Sequence, residues 1–319
     1  MAKFIVKRIL MLIPVIIGIT FIVFMLLSYA PGDPAEMILG ANANDEAIAN
    51  LHEELGLDDP RIVRYGRYMN DLIHGDLGTS YKNNTSVASE IMTRLPNTVI
   101  LATAGMLVTV LVGIPIGILS AKKQFSLFDN ISMVSALVGA SAPTFWLGLI
   151  LVLVFSLELK WFPSSGMGIG IGPMLKSLVL PCLAIAIGSA AEIARMTRSS
   201  MLEVIREDYV STARAKGISE KKITWIHMLK NALMPVVTIV GVRFGALLGG
   251  SVMTETIFSW PGLGKYVVEA VNGRDMPTVM GCVVVMAILF ALVNLIVDVV
   301  YAFIDPRIKS QYKNARKTK

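Results

Sequence analysis

Four stretches of the chain carry no charged residue at all: Ile9–Leu27, Thr98–Ala121, Ile131–Leu157 and Met276–Val297. Each is about as long as the ~20 residues that an α-helix needs to cross the hydrocarbon of a bilayer. A large soluble core could absorb a hydrophobic fraction of 54% with only 16% charged residues, but it would not need that apolar content in uninterrupted runs. The pattern predicts an all-α, polytopic membrane protein.

Two further crossings are less evident. Ser177–Ala191 is uncharged but short, reaching membrane length only by including Glu192, and Asn231–Thr254 carries Arg243 in its middle. Basic residues settle the count, because cytoplasmic loops collect Lys and Arg. With six crossings and the N-terminus inside, nineteen of the 29 Lys and Arg residues fall on cytoplasmic segments and nine outside, with Arg243 in a span. Dropping either weak crossing puts a strongly basic loop or tail outside. The expected topology is therefore six spans with both termini cytoplasmic. Lys3, Lys7 and Arg8 before the first apolar run resemble a secretory signal, yet that run exceeds the 7–15 residues of a signal core. It is read as a retained span.

The expected organisation follows: an N-terminal transmembrane helix (1–30), an extracytoplasmic helical region (31–97), a five-helix transmembrane domain (98–305) with a loop at 195–230, and a basic cytoplasmic tail (306–319). Region 31–97 holds eleven acidic residues against five basic ones. Two short helices are expected in it. Asn44 caps one that has Ile48, Leu51 and Leu55 on one face and is stopped by Gly56; the other starts at Asp59-Pro60 and places Ile62, Tyr65, Met69 and Ile73 together. The region forms a small folded cap.

The net charge of +6 does not indicate nucleic acid, since the basic residues flank apolar runs rather than forming one patch. Cys182 and Cys282 lie within apolar stretches and read as small buried hydrophobes, with neither metal spacing nor a disulfide framework. His52, His74 and His227 fall in loops without a second ligand at metal spacing, and neither a GxSxG elbow nor a GxxxxGK[ST] phosphate loop occurs. No catalytic residue, metal site or cofactor is expected in the chain, and energy must come from a partner or an ion gradient. Ionisable residues inside spans are functional candidates by default. Arg243 and Asp298 are the clearest, with Glu192 and Glu255 nearer span ends. An Arg243–Asp298 pair or snorkelling is the bland reading, a gate or substrate contact the sharper one.

The most informative segment is the expected inner loop between Arg195 and Lys230. It contains Ser211-Thr212-Ala213-Arg214-Ala215-Lys216-Gly217 and then His227-Met228-Leu229-Lys230-Asn231-Ala232-Leu233-Met234-Pro235. A short helix there would offer a side-chain-poor strip at Ala213 and Gly217 to another surface, and Gly217 can stop it in a left-handed conformation. An ordinary amphipathic linker on the membrane surface is the alternative.

This loop resembles the EAA loop of permeases of ATP-binding-cassette importers. Gly217 fits the motif's glycine and Ala213 its second alanine, while Ser211 stands where the family has Glu, Thr212 at the first Ala, and His227 at an Ile. Thr212 to Gly217 and His227 to Pro235 match the form typical of the dipeptide, oligopeptide and nickel branch. So do Pro31-Gly32-Asp33-Pro34, Gly75-Asp76-Leu77-Gly78-Thr79-Ser80, Trp161-Phe162-Pro163, Glu255-Thr256-Ile257-Phe258, Pro261-Gly262-Leu263-Gly264, Arg274-Asp275 and Asp305-Pro306-Arg307, in that order.

The resemblance implies a type-1 ABC importer permease fold in the cytoplasmic membrane of a prokaryote. It implies a second homologous permease subunit, two cytoplasmic ATPase subunits carrying ATP and Mg, an extracytoplasmic substrate-binding protein, and contact with membrane lipid. The EAA helix would dock in a groove of the ATPase, with Arg214 and Lys216 facing ATPase acids or lipid phosphates, and Gly217→Glu would uncouple transport. Short peptides are the expected substrate, with nickel or a glutathione-type compound as alternatives. From other classes, an ion-coupled carrier would show paired halves with broken helices, and a membrane enzyme would need an intramembrane nucleophile or metal pair; neither is legible.

Overall fold

A computed structural model describes residues 2–30, 32–40, 43–249 and 251–304; the side chain of Asp298 and the Asp305-Pro306-Arg307 motif lie outside the described residues. In chain order the helices are α1 Ala2–Tyr29, α2 Pro34–Leu39, α3 Asp45–Leu55, α4 Arg61–Ile73, α5 Val87–Lys122, α6 Leu127–Ser141, α7 Thr144–Leu151, α8 Ile171–Val204, α9 Asp208–Ala215, α10 Glu220–Lys222, α11 Leu229–Leu248, α12 Val252–Ile257, α13 Leu263–Asn272 and α14 Met276–Ile304. Two π-helical segments, Val152–Glu158 and Ile223–Met228, continue α7 and lead into α11. Among the described residues five helical stretches are long and apolar enough to cross a membrane alone, and a bent pair, counted as one span, makes six.

That bent pair departs from the expected straight span over Ile131–Leu157. α6 and α7 meet at 100°. The cause is Pro143, which has no N–H to donate and disfavours helical geometry at the residue before it; Ala142 is extended, at φ −80° and ψ 129°. Two other boundaries shift. α8 is 34 residues long, about 51 Å at 1.5 Å per residue, so Arg195–Val204 continues a helix that was expected to give way to loop. The fifth crossing ends at Leu248, ahead of Gly249, not at Thr254, and α12 is a separate turn of helix.

The chain divides into two compact units, 1–99 with 261–291 and 100–260 with 292–319. In the first, the sequence caps its helices as expected. The Asn44 side chain accepts the Ala47 N–H at 2.8 Å, and Gly56 ends α3 in the left-handed region at φ 61°. Asp33 caps the additional helix α2 by accepting the Ala35 N–H. On α4, Tyr65 turns to α1, its ring packing edge-on against Phe21 and Phe24 and its hydroxyl 3.0 Å from Thr20 Oγ1. Asp275 ties two of the quoted motifs together. Buried to 3% exposure, its carboxylate accepts Ser80 Oγ–H at 2.5 Å, Tyr81 N–H at 3.1 Å and Thr278 Oγ1–H at 2.7 Å.

His52 lies between two carboxylates, with Nε2 2.7 Å from Asp33 and Nδ1 3.2 Å from Asp58. Its pKa is raised above 6.5, first by the hydrogen bond to Asp33 and then by that to Asp58. Because the folded value is the higher one, the stabilisation is complete below about pH 6.5 and is lost as pH rises through the raised folded value. The segment around α2 and α3 should resist limited proteolysis better at pH 5.5 than at pH 8.5, and His52→Gln should remove most of that difference.

In the second unit, α5 and α8 approach closely through glycine. Gly113-Ile-Pro-Ile-Gly117 is a GxxxG pattern, the small-residue spacing that lets helix backbones meet inside membranes. A Cβ at Gly113 would stand 2.9 Å from the Ala190 carbonyl oxygen, and one at Gly117 2.6 Å from that of Ala194. Since backbone cannot yield cheaply, Gly117→Val should lower the melting temperature of the purified protein by several degrees, in line with about 1–3 kcal/mol for overpacking. Gly172→Val, at a position with open space around it, is the comparison variant.

Candidate functional site: the α9 segment and the charged pairs of α8

α9 is short and largely polar, and its shape is set by what it buries. Val210 and Ala213, one helical turn apart, are buried to 0% and 6% exposure. They pack with Ile118 and Ala121 at the end of α5, Met201 on α8, Ile223 and Met228 of the π segment, and Ala232 on α11. Side chains three apart share a face, so the opposite face is turned outward. Ser211, Thr212, Arg214, Ala215, Lys216 and Gly217 are all exposed, while His227 is half-buried. This corrects the expected strip. Ala213 points into the chain's own core, while Gly217, the other member of that strip, is exposed together with the small residues Ser211 and Ala215, four apart.

Polar contacts fix the segment at both ends. The Asn231 side-chain amide donates to Tyr209 Oη at 2.7 Å and to the His227 carbonyl at 3.2 Å, joining α9 to the start of α11. Arg214 Nε donates to Glu220 at 2.7 Å. Gly217 has the expected left-handed backbone, φ 73°, and stands in open space: a Cβ there would meet nothing within 4 Å. Its role is to turn the chain. Arg214 and Lys216 are both exposed, and Arg214 is held by Glu220 within the chain.

Two ion pairs engage α8. Arg243 on α11 donates through Nε to Glu192 at 2.6 Å, so its partner is the carboxylate that was assigned to a span end; the side chain of Asp298, the partner expected from sequence, lies outside the described residues. Glu255, also singled out, is fully buried and accepts Ser251 Oγ–H at 3.3 Å. The second pair was not expected. Arg198 grips Asp129 at 2.6 and 2.7 Å through two nitrogens, and Asp129 also accepts the Phe125 N–H at 3.0 Å. The Asp129 side chain is 2% exposed. A signal existed in Ser126-Leu-Phe-Asp129, the S-x-x-D form of a helix start; Ser126 does cap α6, accepting the Asp129 N–H.

Among the described residues no group of three or more His, Cys, Asp or Glu could hold a metal ion. The site consists of an exposed face on α9 and of two ion pairs on α8.

Comparison with known proteins places these features. Residues 113–310 match the family model for the binding-protein-dependent transport system inner membrane component, and residues 1–102 match that for the N-terminal part of such membrane components. The chain is 45% identical to the dipeptide transport system permease protein DppB of Alkalihalophilus pseudofirmus, over 97% of this chain and all of that protein. It is 40% identical to the oligopeptide transport system permease protein AppB of Bacillus subtilis, again over 97% of this chain and all of the relative. Among solved structures, a chain of the inward-facing MetNI methionine ABC transporter superposes with a TM-score of 0.56 at 19% identity, covering 68% of this chain and 96% of that one; this likeness speaks to the fold. With its apolar helices and its match to both family models, the chain is a multi-pass membrane protein with the type-1 importer fold and belongs to the family of inner-membrane components of binding-protein-dependent transport systems.

Proposed function

We propose that this chain is the permease subunit of an ATP-driven importer of short peptides. The observation that carries the substrate class is the near full-length identity to two permeases named for dipeptide and oligopeptide transport. The working unit pairs it with a second, similar permease and two cytoplasmic ATPases that bind ATP and Mg, and an extracytoplasmic binding protein delivers the peptide. The chain itself holds no cofactor and hydrolyses no nucleotide. Both termini are cytoplasmic, region 31–97 is extracytoplasmic, and 98–305 is the transmembrane domain whose 195–230 segment couples to the ATPases.

The outward face of α9 supports the coupling role. Ser211 and Ala215 leave a low surface against which another protein can close, with Lys216 and Gly217 beside it, while Val210 and Ala213 lock the helix to α5, α8 and α11. A displacement imposed on α9 is thereby passed to three spans. ATP-driven closure of the ATPases moves α9, and the spans alternate between inward-open and outward-open states.

Uptake of radiolabelled dialanine against nickel-63, in cells lacking the gene and complemented with it, tests the reading. Restored dialanine uptake with unchanged nickel uptake is expected. Restored nickel uptake alone would replace the substrate class, and transport by the purified chain in liposomes without ATPases would replace the mechanism with an ion-coupled one.

A further inference from the structure

The Glu192–Arg243 pair sits in a place that lipid cannot accept. α8 and α11 are in contact at two levels. Met201 packs with Met228 and Ala232 at one, and Leu247 packs on the cluster containing Cys182 at the other. Glu192 lies ten residues from Cys182 and nine from Met201, about 14–15 Å along the helix from each. The pair therefore lies inside both helices, between the two contact levels on α8 and five residues before the Leu248 end of α11. Yet it is not enclosed: the side chains are 34% and 49% exposed.

Charged groups at such depth face a bundle interior or a water-filled cavity. The neighbouring surface agrees. Arg195 and Ser199 on α8 and Thr238 on α11 are exposed as well, and Pro235 interrupts the hydrogen-bond ladder of α11. Exposed polar groups thus occur on both helices near the pair, with Arg195 and Ser199 on the Glu192 side of α8.

We infer that Glu192 and Arg243 line the water-filled translocation path and hold the two termini of the passing peptide, Arg243 its carboxylate and Glu192 its ammonium. In the absence of substrate each side chain serves as the other's counter-ion, so the path stays electrically neutral. A zwitterion replaces one internal ion pair by two intermolecular ones with no net change in charge, and the substrate's side chains go unread. The inference rests on the peptide-import reading for its ligand but not for its location.

The test uses the fully assembled importer in proteoliposomes. Cysteine is placed at 192 or 243, with Val134→Cys on the exposed apolar face of α6 as reference and the parent's buried Cys182 and Cys282 as baseline. The probe is trimethylammonium-ethyl methanethiosulfonate. Glu192→Cys and Arg243→Cys should react at least tenfold faster than Val134→Cys, and saturating dialanine with the binding protein should slow them at least fivefold. The double variant Glu192→Arg/Arg243→Glu keeps the ion pair and the fold but reverses the polarity, and its dialanine uptake should fall at least tenfold. Labelling no faster than at Val134→Cys would mean that the second permease or lipid covers the pair, and would overturn the inference. Labelling without protection by peptide, or normal uptake by the reversed pair, would overturn the substrate contact. Fast labelling of Glu192→Cys and Arg243→Cys, together with a parent importer that takes up no dialanine, would instead refute the peptide reading and leave the path assignment standing.

Discussion

Asp129→Ala should be among the most damaging single substitutions in the chain, costing about 3–5 kcal/mol, because it strands the Arg198 guanidinium beside an emptied, buried site. Asp129 also accepts the N–H of Phe125, a residue with positive φ, 63°, so the turn before α6 loses its anchor too. The expected observation is a markedly lower melting temperature in detergent and a reduced amount of protein in the membrane. Arg198→Leu alone should be similarly harmful, since it leaves an almost fully buried carboxylate unpaired. The double variant Asp129→Ala/Arg198→Leu should recover more than half of the loss, as pairs replaced by apolar groups often approach neutrality. Equal damage in the single and double variants would show that the packing of these side chains, not their charge, holds α6 to α8.

The second large effect is on transport rather than stability. Ala215→Trp projects a large ring from the exposed face of α9 without touching the core contacts made by Val210 and Ala213. Membrane level should be normal, while peptide uptake falls at least tenfold and the ATPase subunits no longer co-purify. Ala213→Trp should instead destabilise the chain by about 1–3 kcal/mol or more, as overpacking does, because its Cβ points into the cluster with Met201 and Met228. Gly217→Glu separates the two causes. No atom crowds that position, so any structural cost is the roughly 1–2 kcal/mol of a left-handed backbone at a residue bearing Cβ. Lost coupling beyond that comes from the new carboxylate beside the docking face.

The apolar runs made the membrane class legible, and Asn44, Gly56 and Gly217 announced the caps and turns that they form. These are local signals, written within a few residues. What the sequence concealed depends on the third dimension. Ala213 and Ala215 are equally small in a sequence, and only the packing partners of α9 decide which of them faces outward. Arg243 invited a partner of opposite charge, and the sequence pointed to Asp298; that Glu192, 51 residues away, is within reach shows only where α8 and α11 meet. Asp129 carries no local sign of its ion pair, since its partner is 69 residues away. The bend in the third crossing hid for a different reason: hydropathy averages over a window, and Ala142-Pro143 occupies two positions within it.

The corner between α6 and α7 has an implication for the assembled membrane complex. Neither limb alone, at about 15 residues, covers ~30 Å of hydrocarbon at 1.5 Å per residue, and where helical pairing stops at Pro143, carbonyl groups lose the donors that a straight rod would have supplied. Acyl chains offer no replacement. The elbow must therefore be roofed by protein or wetted, and a reporter domain fused into residues 141–143 should be tolerated far worse than one placed in either flanking turn.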